Sequence, residues 1–154
     1  MDVKNRRIFL HNDLELHKPG ESVAEHVVRG LFHLESLNKK KIELWINTAG
    51  GDVADMFAIY DVVQQLESEV WTIGYGDVCS AGGLILASGD RRFATENCWF
   101  MFHNISLYEV DYLPQVLSST KAAERMFHRW CKLMSQRSKK PEKFWKDIKD
   151  AVGS

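Results

Sequence analysis

GYGDVCSAGGLILASGDRRFATENCWFMFH, Gly74 to His103, is the stretch that decides the fold. Its first residues finish a strand, Val70-Trp71-Thr72-Ile73-Gly74-Tyr75, rich in residues that suit a pleated surface. From Ser80 to Ala87 the residues are small and apolar, as in a buried helix. Ser88-Gly89-Asp90 reads as a turn, Arg91 to Thr95 as a short extended piece, and Glu96-Asn97 as a second turn. Cys98 to Phe102 is then a strand with His103 at its end. A strand, a helix and another strand in this order form the repeating unit of a parallel sheet with right-handed crossovers.

The same unit repeats upstream. Arg7-Ile8-Phe9-Leu10 reads as a first strand, and Lys18-Pro19-Gly20 as a turn. Glu21-Ser22 open a helix whose apolar stripe is Val23, Val27, Leu31, Leu34 and Leu37. Lys41 to Ile46 alternates polar and apolar residues, the mark of a strand. It runs into the Gly-rich turn Asn47-Thr48-Ala49-Gly50-Gly51, where two glycines open backbone conformations closed to other residues. Val53 to Leu66 is a helix with Met56, Ile59, Tyr60, Val63 and Leu66 on one side. The expected architecture is a single α/β layered domain over residues 1–154. Its sites should form where strand ends meet helix starts, and the Gly-rich turn at Asn47 to Gly51 and the glycine-flanked approach to Ser80 both stand at such junctions.

Past His103 the character changes. Residues 105–112 are mixed and extended, and Leu113 to Arg137 is a long helix with Val116, Met126, Phe127, Trp130 and Met134 among its apolar positions. Phe127, Trp130 and Met134 are expected to form an exposed apolar patch that a partner covers, with burial in the chain's own core as the alternative. Ser138-Lys139-Lys140-Pro141 breaks that helix. Pro141 to Val152 reads as a last amphipathic helix, with Phe144, Trp145 and Ile148 inward.

Composition removes several classes of function. The 154 residues are 45% hydrophobic and 27% charged, ordinary for a globular domain. A net charge of −1 offers nothing to nucleic acid or to an anionic membrane. No apolar segment approaches the ~20 residues that span a bilayer. Met1 to Arg7 lacks the apolar core of a signal peptide, so the cytoplasm is the expected location. Three cysteines, Cys79, Cys98 and Cys131, without any CxxC pair read as reduced thiols. Six histidines in no ligand pattern predict no metal site.

Ser80 and His103 are the candidate reactive side chains; by themselves each also suits a structural role, Ser80 as a small residue of a buried helix and His103 as a histidine closing a strand. A serine at a strand-to-helix turn faces free N–H groups and the positive end of the helix dipole, which suit a developing negative charge. The surrounding residues are not the G-x-S-x-G elbow.

Several ordered motifs together resemble the family of proteolytic subunits of the Clp protease (ClpP), over about Arg7 to Asp150. They are Ile8-Phe9-Leu10, Ile46-Asn47-Thr48-Ala49-Gly50-Gly51, Ala58-Ile59-Tyr60-Asp61 with Gln64, Cys79-Ser80-Ala81-Gly82, Phe93 to Asn97, and Met101-Phe102-His103. The family's usual turn is Ser-Pro-Gly-Gly and its usual nucleophile turn Ala-Ser-Met-Gly. The resemblance implies a ClpP/crotonase-like layered fold with a protruding handle helix. The head would take residues 1–104 and 138–154 and the handle 105–137. It implies Ser80 as nucleophile, His103 as general base, and the N–H groups of Gly51 and Ala81 as oxyanion hole. It also implies an extended peptide or unfolded-protein substrate added as a strand, with Asp111 at the groove's edge. Homo-oligomeric, heptameric rings joined by the helix from Leu113 are implied as well. No cofactor is expected, and ATP enters only through a partner AAA+ unfoldase.

Two departures qualify these expectations. Six residues precede the first strand where the family carries a longer segment that forms axial loops. The chain ends at Ser154, whereas the family continues through a turn, a strand and a short helix, with its catalytic Asp near or past this end. Asp147 and Asp150 are the in-chain candidates for that acid. They lie three apart on the expected last helix, where both read as solvated carboxylates, so slow hydrolysis is expected. Two other functions compete: a ClpP-like subunit that assembles without cleaving, and a crotonase-fold acyl-CoA enzyme.

Overall fold

Strands β1 (Arg7–His11), β2 (Ile42–Thr48) and β3 (Val70–Cys79) lie side by side, all parallel, in the computed structural model. The structure describes residues 1–14, 22–103, 113–148 and 150–153. Helices α1 (Val23–Leu37) and α2 (Val53–Gln65) make the crossovers. After β3 come α3 (Ala81–Ser88), β4 (Arg91–Ala94) and β5 (Trp99–His103). The order across the sheet is β1-β2-β3-β5-β6, where β6 is Asp150–Gly153. β3 holds two neighbours on its far side: residues 71–74 pair with β4 and residues 77–79 with β5, both parallel.

Each helix is placed by local chemistry. The Ser22 side chain caps α1 by accepting from the Glu25 N–H, and Asp52 caps α2 by accepting from the Asp55 N–H. α1 has no basic residue in its last turn. Arg6 supplies one from outside, donating to the carbonyls of Leu34, Asn38, Lys40 and Lys41. The expected stripes are buried at Val27, Leu31 and Leu34 on α1 and at Met56, Ile59, Tyr60 and Val63 on α2. Leu37, expected in the stripe, is exposed at the helix end.

Alternation along β2 reflects a sheet with one closed face. Ile42, Leu44 and Ile46 point into the core with Ile8 and Leu10 of β1. Glu43, Trp45 and Asn47 point to the open face, where Arg7 and Lys41 each pair with Glu43 at 2.8 Å.

The chain divides into two compact units, Met1–Met101 with Val152–Ser154, and Phe102–Ala151. The second is built on α4 (Leu113–Arg137) and α5 (Glu142–Lys146). Its centre is aromatic. The Trp145 ring stands edge-on to Trp130 (5.6 Å), Phe102 (5.6 Å) and Phe144 (5.1 Å), and Phe127 stacks on Trp130 at 6.0 Å.

Two expectations fail in this unit. Trp130 and Met134 are buried within their own chain, so Phe127, Trp130 and Met134 form no exposed patch. The last helix stops at Lys146, and residues 150–153 are a strand. Asp147 and Asp150 therefore share no helix face, and Phe144 is exposed while Trp145 alone is deeply buried. The expected turn Lys18-Pro19-Gly20 and Asp111 lie outside the described residues. Among the described residues no helix is long and apolar enough to cross a membrane.

Candidate active site

The site grows out of an irregularity in β3. Ile46 of β2 pairs with Gly74, but Thr48, two residues on, pairs with Val78, four residues on. The extra residues bulge outward around Gly76, and Asn47 fastens them by accepting from the Asp77 N–H at 2.9 Å. Bulges of this kind re-aim the strand that follows. β3 continues past the glycines to Cys79, four residues beyond the expected end at Tyr75.

Ser80 is the first residue after β3, and α3 begins at Ala81. Its backbone has φ 52 and ψ −118. A non-glycine residue held there stores on the order of 1–3 kcal/mol, a cost found mainly at functional sites. Three features hold it. The Ser80 N–H donates to the Met101 carbonyl of β5 at 2.7 Å, next to the pairing of Cys79 with Met101. The Ser80 carbonyl accepts from the Gly83 N–H at 3.1 Å, closing the first turn of α3. The Gly-rich turn presses on it from β2: a methyl on Gly50 would stand 2.6 Å from Ser80 Cβ and 3.1 Å from the Ala81 nitrogen. Only glycine fits there, at φ 111. The Ser80 side chain does not cap α3, and the residue is half-buried.

The structure thus brings together Ser80, Ala81 and the Gly50-Gly51 turn, all singled out in the sequence. Gly51 is exposed. Its N–H and that of Ala81 donate to no acceptor among the described residues. Two unoccupied main-chain donors beside a strained serine can stabilise an oxyanion formed at that serine.

The other candidates are placed separately. His103 is the last residue of β5, half-buried. Asp147 follows α5 with its side chain 61% exposed, and Lys143 donates to its carboxylate at 2.6 Å. Asp150 opens β6. Cys79, beside Ser80, is buried, and burial together with the charges of Asp77 and Asp13 pushes its thiol up. Among the described residues no three His, Cys, Asp or Glu side chains gather as metal ligands.

Sequence reasoning missed the residues that hold the Gly-rich turn from the far side. Asp13 and Leu14, just past β1, lie across it. No spacing or motif links them to residues 49–51; the link exists only because β1 and β2 run parallel.

Comparison with known proteins bears on this geometry. The Clp protease family model matches residues 2–151. The ATP-dependent Clp protease proteolytic subunit 2 of Treponema pallidum (strain Nichols) is 38% identical over 104 residues, covering 66% of this chain and 50% of that protein. The ATP-dependent Clp protease proteolytic subunit of Carsonella ruddii (strain PV) is 37% identical over 103 residues, with the same 66% and 50% coverage. The chain spans about half the length of the curated relatives it matches. Among solved structures, a mutant ClpP1 from Listeria monocytogenes superimposes with a TM-score of 0.86 at 24% identity, over 99% of this chain and 84% of that one. At that identity the likeness shows the fold: an α/β layered domain of the ClpP type, as expected.

Proposed function

This chain belongs to the Clp protease family, and we propose that it is a serine endopeptidase subunit cleaving peptides or unfolded proteins. Ser80 Oγ attacks the scissile carbonyl while His103 takes the hydroxyl proton. The tetrahedral oxyanion accepts hydrogen bonds from the N–H groups of Gly51 and Ala81. On collapse the C–N bond breaks, His103 returns the proton to the leaving amine, and water hydrolyses the acyl-serine by the reverse roles. The step needs no metal or cofactor.

The observation that carries this reading is the Ser80 turn itself, strained at φ 52 and packed against Gly50, with the Gly51 and Ala81 N–H groups left without acceptors among the described residues. Asp147 is disfavoured as the third member, because its carboxylate is exposed and held by Lys143. The substrate is an extended segment recognised through its main chain. The working form is a cytoplasmic homo-oligomeric ring, heptameric by family resemblance, served by an AAA+ unfoldase. The relatives' names, ATP-dependent protease subunits, support that partnership. They lend nothing to the acyl-CoA reading.

Labelling with a fluorophosphonate tests the assignment. The expected result is one label, on Ser80, lost in Ser80→Ala and strongly slowed in His103→Ala. Label that persists on Ser80→Ala refutes it. An oligomer whose Ser80 takes no label favours the non-cleaving subunit instead.

A further inference from the structure

We propose that Asp13 is a positioning residue for the oxyanion turn: its carboxylate, together with the Leu14 main chain, holds Gly50-Gly51 so that the Gly51 N–H faces the reacting carbonyl. The inference rests on the reading of Ser80 as nucleophile.

Asp13 Oδ1 accepts from the Ala49 N–H at 2.8 Å. The Leu14 N–H donates to the Gly50 carbonyl, and the Asp52 N–H donates to the Leu14 carbonyl, both at 2.6 Å. From within the turn, Thr48 Oγ1 accepts from the Gly50 N–H at 3.1 Å. The N–H groups of Ala49, Gly50 and Asp52 are therefore all engaged. The Gly51 N–H between them is left without an acceptor among the described residues. The strap itself is anchored, since the Leu14 side chain is buried at 1% exposure. It also lies so close that a side chain at Gly51 would collide with the Leu14 backbone. A preorganised donor is valuable because it needs no rearrangement as charge develops.

Asp13 acts here through geometry, not charge. A carboxylate near the turn opposes a growing oxyanion, so its usefulness lies in the bond to Ala49. This separates two substitutions. Asp13→Ala removes the acceptor. Asp13→Asn keeps an oxygen acceptor for the same N–H and removes the charge.

The test compares the full chain with both variants. Fluorophosphonate labelling of Ser80 and hydrolysis of a short fluorogenic peptide give the rates, and amide exchange by NMR reports on Ala49. Asp13→Ala should slow labelling and lower kcat by about tenfold to a hundredfold, the range for a displaced donor. KM should stay within about twofold, because main-chain substrate binding is untouched. The Ala49 N–H should exchange faster. Asp13→Asn should restore both the rate and the Ala49 protection. Asp13→Ala labelled at the unaltered rate overturns the proposal, as does Asp13→Asn as slow as Asp13→Ala. Absence of label on the unaltered chain overturns the serine reading and this one with it, and is told apart because no variant is needed to see it.

Discussion

Gly50→Ala is the sharpest perturbation of the site. The added methyl would stand 2.6 Å from Ser80 Cβ, 3.0 Å from the Cys79 carbonyl oxygen and 3.1 Å from the Ala81 nitrogen. The backbone there has φ 111, a region alanine adopts only under strain of about 1–3 kcal/mol. Relieving the contact adds about 1–3 kcal/mol of overpacking. Together these come to about 2–6 kcal/mol, large against the 5–15 kcal/mol typical of a domain. At about 2–4 °C per kcal/mol for a chain of this size, the unfolding temperature should fall by roughly 5–20 °C. The effect on rate is separate. The carbon–carbon contact must open to about 3.5–4.0 Å, so the turn and Ser80 must move apart by about 1 Å. A shift of that size costs about a hundredfold in a positioned reaction. Calorimetry gives the first quantity. Fluorophosphonate labelling, run well below the variant's unfolding temperature, gives the second. Ala49→Gly, one residue away at an exposed position, should change both little. If Gly50→Ala unfolds within about 2 °C of the unaltered chain and labels at the same rate, the turn does not pack on Ser80 as described.

Three further outcomes are expected. Burial would raise the Glu35 carboxyl, but hydrogen bonds from Lys39 and from the Glu67 and Ser68 N–H groups outweigh it and hold it at about 2. A depressed carboxyl contributes stability above its unfolded pKa of about 4.5 that is lost as pH falls toward 2. With Lys39 half exposed that contribution is about 1–2 kcal/mol, and urea melts of Glu35→Gln should lack this part of the acid slope. Trp130→Ala should cost about 3–5 kcal/mol and melt the Phe102–Ala151 unit first, as near-ultraviolet circular dichroism would register. A melt unchanged in Trp130→Ala would refute its burial against Trp145. Cys79, Cys98 and Cys131 are all buried, which pushes their thiols up, Cys131 to about 11. Iodoacetamide at pH 8 should leave all three unmodified by mass spectrometry until urea unfolds the chain.

Much of the fold was legible in the chain because it is written by neighbours. A helix buries residues three and four apart, so Val27, Leu31 and Leu34 announce α1, and the apolar spacing from Leu113 to Arg137 coincides with α4. Alternation announces β2, since one face of that strand is closed and the other open. Ser80 and the Gly50-Gly51 turn were legible for the same local reason: each stands at a junction of strand and helix.

What the tertiary structure alone decided depends on residues far apart in the chain. The sequence reads β3 as ending at Tyr75, yet the strand continues to Cys79 because Asn47, on another strand, fastens the bulge. Trp130 and Met134 carry no mark that separates an interface from a core; Trp145, fifteen residues beyond Trp130, covers the first. The Pro141 to Val152 pattern suits a helix, but the strand at residues 150–153 takes its hydrogen bonds from a sheet. Asp13 reaches Ala49 across 36 residues of sequence. Periodicity encodes which face of an element is apolar. It cannot encode which distant backbone group meets that face, because that meeting exists only once the strands have paired.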